Sequence, residues 1–205
     1  MKKLNIIGAG GHGKVIADIA LRCGYEGIAF LGIDESQTSC LGFPVYGPSL
    51  EKESYREEDF FVAIGNADKR ERMFEELDEK GLTIVSLIHP AAILGQEVHI
   101  GRGTAVMAGA VINPDTVIGE GCIINTGATV DHDNRISEFV HVSVGAHLAG
   151  MVSIGKGAWI GAGAIVSNHI SICSGCMIGA GAVVVKDIHE AGTYIGVPAK
   201  RRECV

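Results

Sequence analysis

The sequence has no apolar run approaching the roughly 20 residues that a membrane-spanning helix requires, so insertion into a bilayer is not expected. It has no basic patch beyond Lys200, Arg201 and Arg202, and its formal net charge of -7 argues against nucleic acid as a partner. The start, Met1-Lys2-Lys3-Leu4, is basic, but Gly and His follow a short apolar stretch, unlike a secretory signal. A disulfide framework is also missing: six cysteines stand at 23, 40, 122, 173, 176 and 204 without regular spacing. Together these absences imply a reduced, soluble, cytoplasmic protein. Cys173-x-x-Cys176 has the form of a metal or redox pair, yet one pair supplies only half of a zinc site. What the chain has in excess is Gly, 29 residues, close to twice the usual share of roughly 7%. Without a collagen period, that much Gly points to many tight backbone corners. The hydrophobic content of 47% is enough for a sizeable core.

A repeat organises the second half of the chain. Every sixth residue from Leu94 to Val184 is Leu, Ile or Val. Four places after each aliphatic residue comes a mostly small one: Thr104, Ala110, Thr116, Cys122, Ala128, Ala146, Ala158, Ala164, Cys176 and Ala182. Gly recurs just after the aliphatic position, as at 101, 119, 155, 161 and 179. A six-residue period of this kind is a short strand followed by a turn. Three such units close a triangular coil of about 18 residues, and coils stack at roughly the 4.8 Å spacing of paired strands. Residues 94 to 189 then form between five and six coils, with the aliphatic and small series inside. Cys122 and Cys176 fall on the small series, so packing accounts for them without metal. Asn134 interrupts that series, and Ile170 and Ile188 exceed its usual size.

The first ninety residues have a different rhythm. Strands are expected at Leu4 to Ile7, Ile28 to Ile33, Phe60 to Ile64 and Thr83 to Ile88, with helices from Lys14 to Arg22 and Asp68 to Lys80. This alternation predicts an α/β domain over 1–90, a small Rossmann-like parallel sheet with helices on its faces. An all-β domain of repeats follows over 91–205. Gly8-x-Gly10-x-x-Gly13 follows a strand, precedes a helix and has Asp34 21 residues beyond it, matching a dinucleotide fingerprint. Four strands leave no room for both halves of a nicotinamide-binding fold. The turn itself suits a phosphate-bearing ligand, because glycines admit a diphosphate and the helix start offers N–H groups. His12 is either a solvated residue of this loop or a ligand contact. Gly65 and Asn66 end the third strand, where ligands of open α/β sheets lie. Asn66 suits a uracil or ribose edge, or simply the N-cap of the next helix.

The chemistry is expected at Val130-Asp131-His132-Asp133. By the repeat register His132 lies at an outward corner, and His141 and His147 also point outward. An imidazole can take a proton from an attacking amine or hydroxyl near neutral pH. A carboxylate on its other ring nitrogen would fix the tautomer, and either Asp131 or Asp133 could serve.

The glycine loop with His12, Ile64-Gly65-Asn66, the unbroken hexapeptides, Asp131-His132-Asp133 with His141, and the closing Gly196-Val197-Pro198-Ala199-Lys200 together resemble the PglD/NeuD group. These are bacterial sugar O- and N-acetyltransferases, and the resemblance spans essentially the whole chain. It implies a left-handed parallel β-helix and a homotrimer with active sites between subunits. It implies acetyl-CoA as co-substrate, no metal, and a UDP-linked 4-amino-dideoxy sugar as acceptor. His132 would be the general base and Asp133 would raise its basicity, in a direct transfer without an acyl-enzyme. His141, Gly150, Ala162 and Ala180 would meet acetyl-CoA, with the Gly150 N–H near the thioester carbonyl. Gly10, Gly11, His12, Asp34, Gly65 and Asn66 would hold the sugar nucleotide. An O-acetyltransferase of sialic acid or a related sugar shares the fold and base, with a hydroxyl as nucleophile. A zinc enzyme of the γ-type carbonic anhydrase kind needs three converging histidines. Here the outward histidines are spaced differently, and that enzyme has no glycine-loop domain.

Overall fold

The computed structural model describes residues 2–32 and 36–202. The chain divides into two compact units, Met1–Pro90 and Ala91–Val205.

The first unit is built on the strand Lys3–Ile7 (β1), whose Leu4 and Ile6 are buried. The helix Gly11–Arg22 (α1) buries Ile16, Ala17, Ile19 and Ala20, one face of a 3.6-residue period. It ends at Cys23, and Gly24 takes the left-handed conformation that favours glycine after a helix. The chain returns as Gly27–Leu31 (β2), then as a short antiparallel hairpin, Ser39–Cys40 (β3) with Phe43–Tyr46 (β4). Leu41 and Gly42 at the tip both have positive φ, the backbone a two-residue hairpin turn needs. The apolar strand Asp59–Val62 (β5), the helix Ala67–Glu79 (α2) and Thr83–Ile84 (β6) complete the unit. The sheet order is β3-β4-β2-β1-β5-β6, parallel apart from the β3-β4 hairpin.

Three details differ from the sequence expectation. Helix α1 begins at Gly11 rather than Lys14, because Gly11, His12 and Gly13 form its first turn and the Lys14 N–H donates to Gly10 O. The predicted strand from Thr83 to Ile88 is two short strands, Thr83–Ile84 and Leu87–Ile88. The β3-β4 hairpin stands where no strand is expected from the sequence.

The second unit is a parallel β-helix of two-residue strands that pair with the strand 18 residues on, as Ile112 with Val130 and Val130 with Leu148, until Met177–Ile178 meets the closing strand Thr193–Ile195. Its three faces follow one another along the chain. The first carries the outward residues Ile93, Val111, Thr129, His147, Ile165 and Val183. The second carries His99, Val117, Arg135, Ser153 and Ser171. The third carries Ile123, His141, Trp159 and Met177. The aliphatic series from Val106 to Val184 is buried, whereas Ile100 is half-buried and Leu94 exposed. The small series is buried beside it, and Asn134 belongs to it at 0% exposure. Ile188 lies at the last turn, bridging Ile172.

Glycine serves two separate purposes in these coils. At 103, 109, 121, 127, 145, 157, 163, 175 and 181 it supplies a positive φ at the turn. The glycines directly after the aliphatic residue do not have that conformation. At Gly119 an added Cβ would lie 2.7 Å from the Glu138 backbone nitrogen, so its role is close approach between coils. One column of turns, at 97, 115, 133, 151 and 169, takes the positive φ with Glu, Asp, Asp, Met and His instead.

Candidate active site

His132 and Asp133 lie on the turn between the first and second faces, in that side-chain-bearing column. Asp133 has φ 58°, a conformation Asp tolerates better than most residues. Its Oδ2 stands 2.7 Å from His132 Nδ1. A carboxylate acceptor at Nδ1 means that this nitrogen carries the proton, leaving the Nε2 lone pair available in the neutral ring. The hydrogen bond to Asp133 is the main cause that raises the His132 pKa, with smaller help from the Asp131 and Asp133 charges.

Asp131 has another task. Its Oδ1 accepts from Asn113 Nδ2 at 2.8 Å and from the His132 N–H at 2.9 Å. Those bonds, Asn113 first, hold its carboxyl below the ordinary range. Asp131 therefore braces the backbone and Asp133 orients the imidazole.

Gly150 lies one coil above His132. A Cβ there would meet His132 Cε1 and Nε2 at 2.7 Å, so only glycine leaves room for the ring. The structure thus brings His132, Asp133 and Gly150 together on one corner.

His141 is elsewhere. It lies on the third face, the side of the triangular coil opposite the corner that holds His132. It stacks on Trp159 with ring centroids 5.0 Å apart. Asn125 Nδ2 lies 3.1 Å from its Nε2, and Trp159 Nε1 donates to Ser143 Oγ at 2.6 Å. Ala162 and Ala180 are exposed and stacked on the corner between the third and first faces, where the Gly181 N–H donates to Ala162 O. Sequence reasoning missed Trp159, the chain's single tryptophan, although it lies one 18-residue coil beyond His141. It also missed the brace Asn113, which stands 18 residues before Asp131.

Within the first unit, the glycine turn borders a cavity of about 360 Å3. Gly8, Ala9 and Gly10 line it at the carboxyl ends of the strands, with Gly32, Gln37 and Lys69 opposite. Gly8 has φ 109°, and a Cβ there would lie 2.9 Å from Ala63 O. Around Gly10 and Gly11 there is open space. Asn66 caps α2, its Oδ1 accepting from the Lys69 N–H at 3.0 Å. Arg70, 1% exposed, donates from Nη1 to Ile64 O and Gly65 O, both at 2.8 Å, and so shapes the Gly65 loop. No periodicity in the sequence singled out Arg70. His12 is half-buried, and its Nε2 is enclosed without a hydrogen-bond partner. Burial, then the Arg70 charge, pushes its pKa down to about 4, so it is neutral at physiological pH. Asp34 lies outside the described residues.

Cys173 and Cys176 face each other with Sγ atoms 3.4 Å apart, and burial first, then the Cys173 bond, pushes Cys176 up to about 12. Among the described residues no group of three or more His, Cys, Asp or Glu is placed to hold a metal ion. No helix among them is long and apolar enough to cross a membrane.

An α/β unit with a glycine turn, joined in sequence to a β-helix carrying a His–Asp pair beside a glycine, defines a hexapeptide-repeat acyltransferase. The chain belongs to the PglD family of sugar acetyltransferases, whose β-helix is left-handed. Residues 3–77 match the PglD N-terminal domain, and 86–132 with 151–186 match the bacterial transferase hexapeptide repeat. The chain is 44% identical to the acetyltransferase domain of PglB from Neisseria gonorrhoeae, covering 98% of this chain and 100% of that one, with a TM-score of 0.94. That domain has also been solved with acetyl coenzyme A. PerB from Caulobacter crescentus, in complex with CoA and GDP-perosamine, is 40% identical over 99% of this chain and 98% of that one, with a TM-score of 0.93. The UDP-N-acetylbacillosamine N-acetyltransferase of Bacillus subtilis is 40% identical over 113 residues, 53% of this chain. That match spans about half (52%) of the relative's length.

Proposed function

We propose that the protein transfers the acetyl group of acetyl-CoA to the 4-amino group of a nucleotide-linked, UDP-type amino-dideoxy sugar. The observation that carries this reading is the His132–Asp133 pair, with Nδ1 held at 2.7 Å and Nε2 directed beside Gly150. In the proposed step the sugar amine attacks the thioester carbonyl and a C–N bond forms. His132 Nε2 takes the amine proton, the Gly150 N–H stabilises the oxyanion, the C–S bond breaks and CoA leaves as thiolate. No acyl-enzyme is needed.

Gly10, Gly11, His12, Gly65 and Asn66, with Asp34, are the proposed contacts to the sugar nucleotide. The neutral, unpartnered Nε2 of His12 supports this, since an enclosed polar atom has a hydrogen bond to make with a ligand. His141, Gly150, Ala162 and Ala180 are the proposed contacts to acetyl-CoA.

These groups imply a homotrimer. His132 and His141 stand on opposite sides of one coil, so a single β-helix cannot present both to one ligand. The first face, between the two corners, exposes Ile165 at 43% and Ile93 at 63% on either side of the Thr129–His147 pair, apolar surface suited to packing against a neighbouring copy. We place the reaction in the cytoplasm, where thiols such as those of the described cysteines stay reduced.

The test is thiol release from acetyl-CoA against UDP- and GDP-linked 4-amino sugars, free amino sugars and sialic acids, with His132→Ala as control. Turnover confined to a nucleotide-linked amine and lost in the control is the expected result. Turnover only with hydroxyl acceptors would assign an O-acetyltransferase instead.

A further inference from the structure

Asn134 is the residue that breaks the small interior series, and it is fully buried. Its Nδ2 donates to Asp131 O at 2.7 Å, Ala149 O at 2.9 Å and His132 O at 3.3 Å. Those three carbonyls belong to the peptide groups Asp131–His132, His132–Asp133 and Ala149–Gly150. They are the peptides that set the positions of His132, Asp133 and Gly150.

A trans peptide is planar, with its C=O and N–H directed oppositely. Holding Ala149 O toward the interior therefore turns the Gly150 N–H away from it, toward the outer side where His132 stands. Holding Asp131 O inward does the same for the His132 N–H, which donates to Asp131 Oδ1. Thr116 Oγ1 adds a second donor to Asp131 O at 3.0 Å from the coil below. An alanine at 134 would leave these carbonyls without the buried nitrogen that gathers them.

We propose that Asn134 is a positioning residue, aligning the base His132 and the oxyanion donor of Gly150 from inside the coil. This rests on the reading of His132 as the base. The rest of the small series shows that the fold does not itself need Asn here: Ala110, Ala128, Ala146 and Ala158 occupy the same register position. The ladder bonds Val117 N–H to Asn134 O and Arg135 N–H to Val152 O do not involve the side chain.

The experiment compares Asn134→Ala, Asn134→Thr, Thr104→Ala and His132→Ala in the full-length enzyme. Thr104 is the control, since its Oγ1 makes the same kind of interior bond, to Gly119 O at 3.0 Å, on a different corner. Asn134→Ala is expected to lower kcat by about tenfold or more, within the roughly 10²–10⁴ that a general base contributes, with KM for acetyl-CoA unchanged. The His132 imidazole, followed by NMR titration, is expected to fall toward an ordinary pKa as its contact with Asp133 loosens. Asn134→Thr, which restores one donor, is expected to recover part of both. Thr104→Ala should lower the melting temperature and leave kcat and the His132 titration alone. A folded Asn134→Ala enzyme with wild-type kcat and an unmoved His132 titration overturns the proposal. So does a loss of melting temperature alone, matching Thr104→Ala. An active His132→Ala enzyme instead overturns the reading of the base, and this proposal with it.

Discussion

In its proposed role His132 can take a proton only while Nε2 is unprotonated, so the carboxylate that raises its pKa would also delay the onset of activity as pH rises. Asp133 is the principal cause of that rise. Asp133→Asn keeps a residue that tolerates the positive φ of 58° but removes the charge. The imidazole then loses its proton at lower pH. The acid limb of the kcat/KM profile should therefore move down in pH, while the plateau rate falls by about tenfold or more as orientation and basicity weaken. An acid limb that stays in place or moves up would show that Asp133 does not set the basicity of His132. Gly150 is the second sensitive residue. Its φ is not in the left-handed region, so alanine fits the backbone, but the methyl would sit 2.7 Å from His132 Nε2, the proposed base. Gly150→Ala should fold normally and lose about 10²-fold in kcat, the scale of a displacement of about 1 Å at a reacting group. Retained activity would mean that the ring does not work from its position beside Gly150.

Among the coils, the two classes of glycine make separable predictions. Gly127 has φ 65° and open space around its missing Cβ, so Gly127→Ala should cost about 1–2 kcal/mol, the penalty of an L-residue in that conformation. Gly101 has an ordinary backbone, but a Cβ there would run into the Glu120 and Gly119 backbone of the next coil. Gly101→Ala should therefore lower the melting temperature more than Gly127→Ala, because the neighbouring atoms are ladder backbone that cannot step aside. Equal shifts would remove the distinction. Much of this layer was readable beforehand. A six-residue period places Val130 inside and His132 outside, and the derived coil of 18 residues also pairs His132 with Gly150, Asn113 with Asp131 and His141 with Trp159. What the period cannot give is a choice made by side-chain geometry within one turn. Asp131 and Asp133 flank His132 symmetrically in sequence, and only the positive φ at 133 and the Asn113 bond to Asp131 separate them. The β3-β4 hairpin escaped because β3 has two residues and β4 shows Pro44, too little alternation to mark a strand. Arg70 escaped because a cation on a highly charged helix carries no sign that it is buried against two carbonyls.

At the scale of the whole molecule, the proposed homotrimer turns the separation of His132 from His141 into a question of which copies would share a site. In a cyclic trimer each contact is heterologous, joining one patch of a subunit to a different patch of the next. If the His132 corner of one copy meets the His141 face of its neighbour, a trimer of His132→Ala subunits has no complete site, and neither does one of His141→Ala subunits. Mixed trimers do contain complete sites. A contact is intact when the His141→Ala copy supplies the His132 corner and the His132→Ala copy supplies the His141 face. With equal amounts and random assembly, each role is filled correctly half of the time, so about a quarter of the wild-type activity should return. Co-expression of the two variants, with the trimer isolated by size and its composition checked by mass, measures this directly. If the site instead lay within one chain, every subunit of the mixture would lack one of the two histidines, and mixing would recover nothing. Ile165→Glu gives the complementary result. A charge at the exposed Ile165 of the first face leaves the coil interior untouched but, in the proposed trimer, could not be buried between copies without a partner. That variant should sediment as a folded monomer and release no CoA, even though His132, Asp133 and Gly150 remain assembled on its own corner.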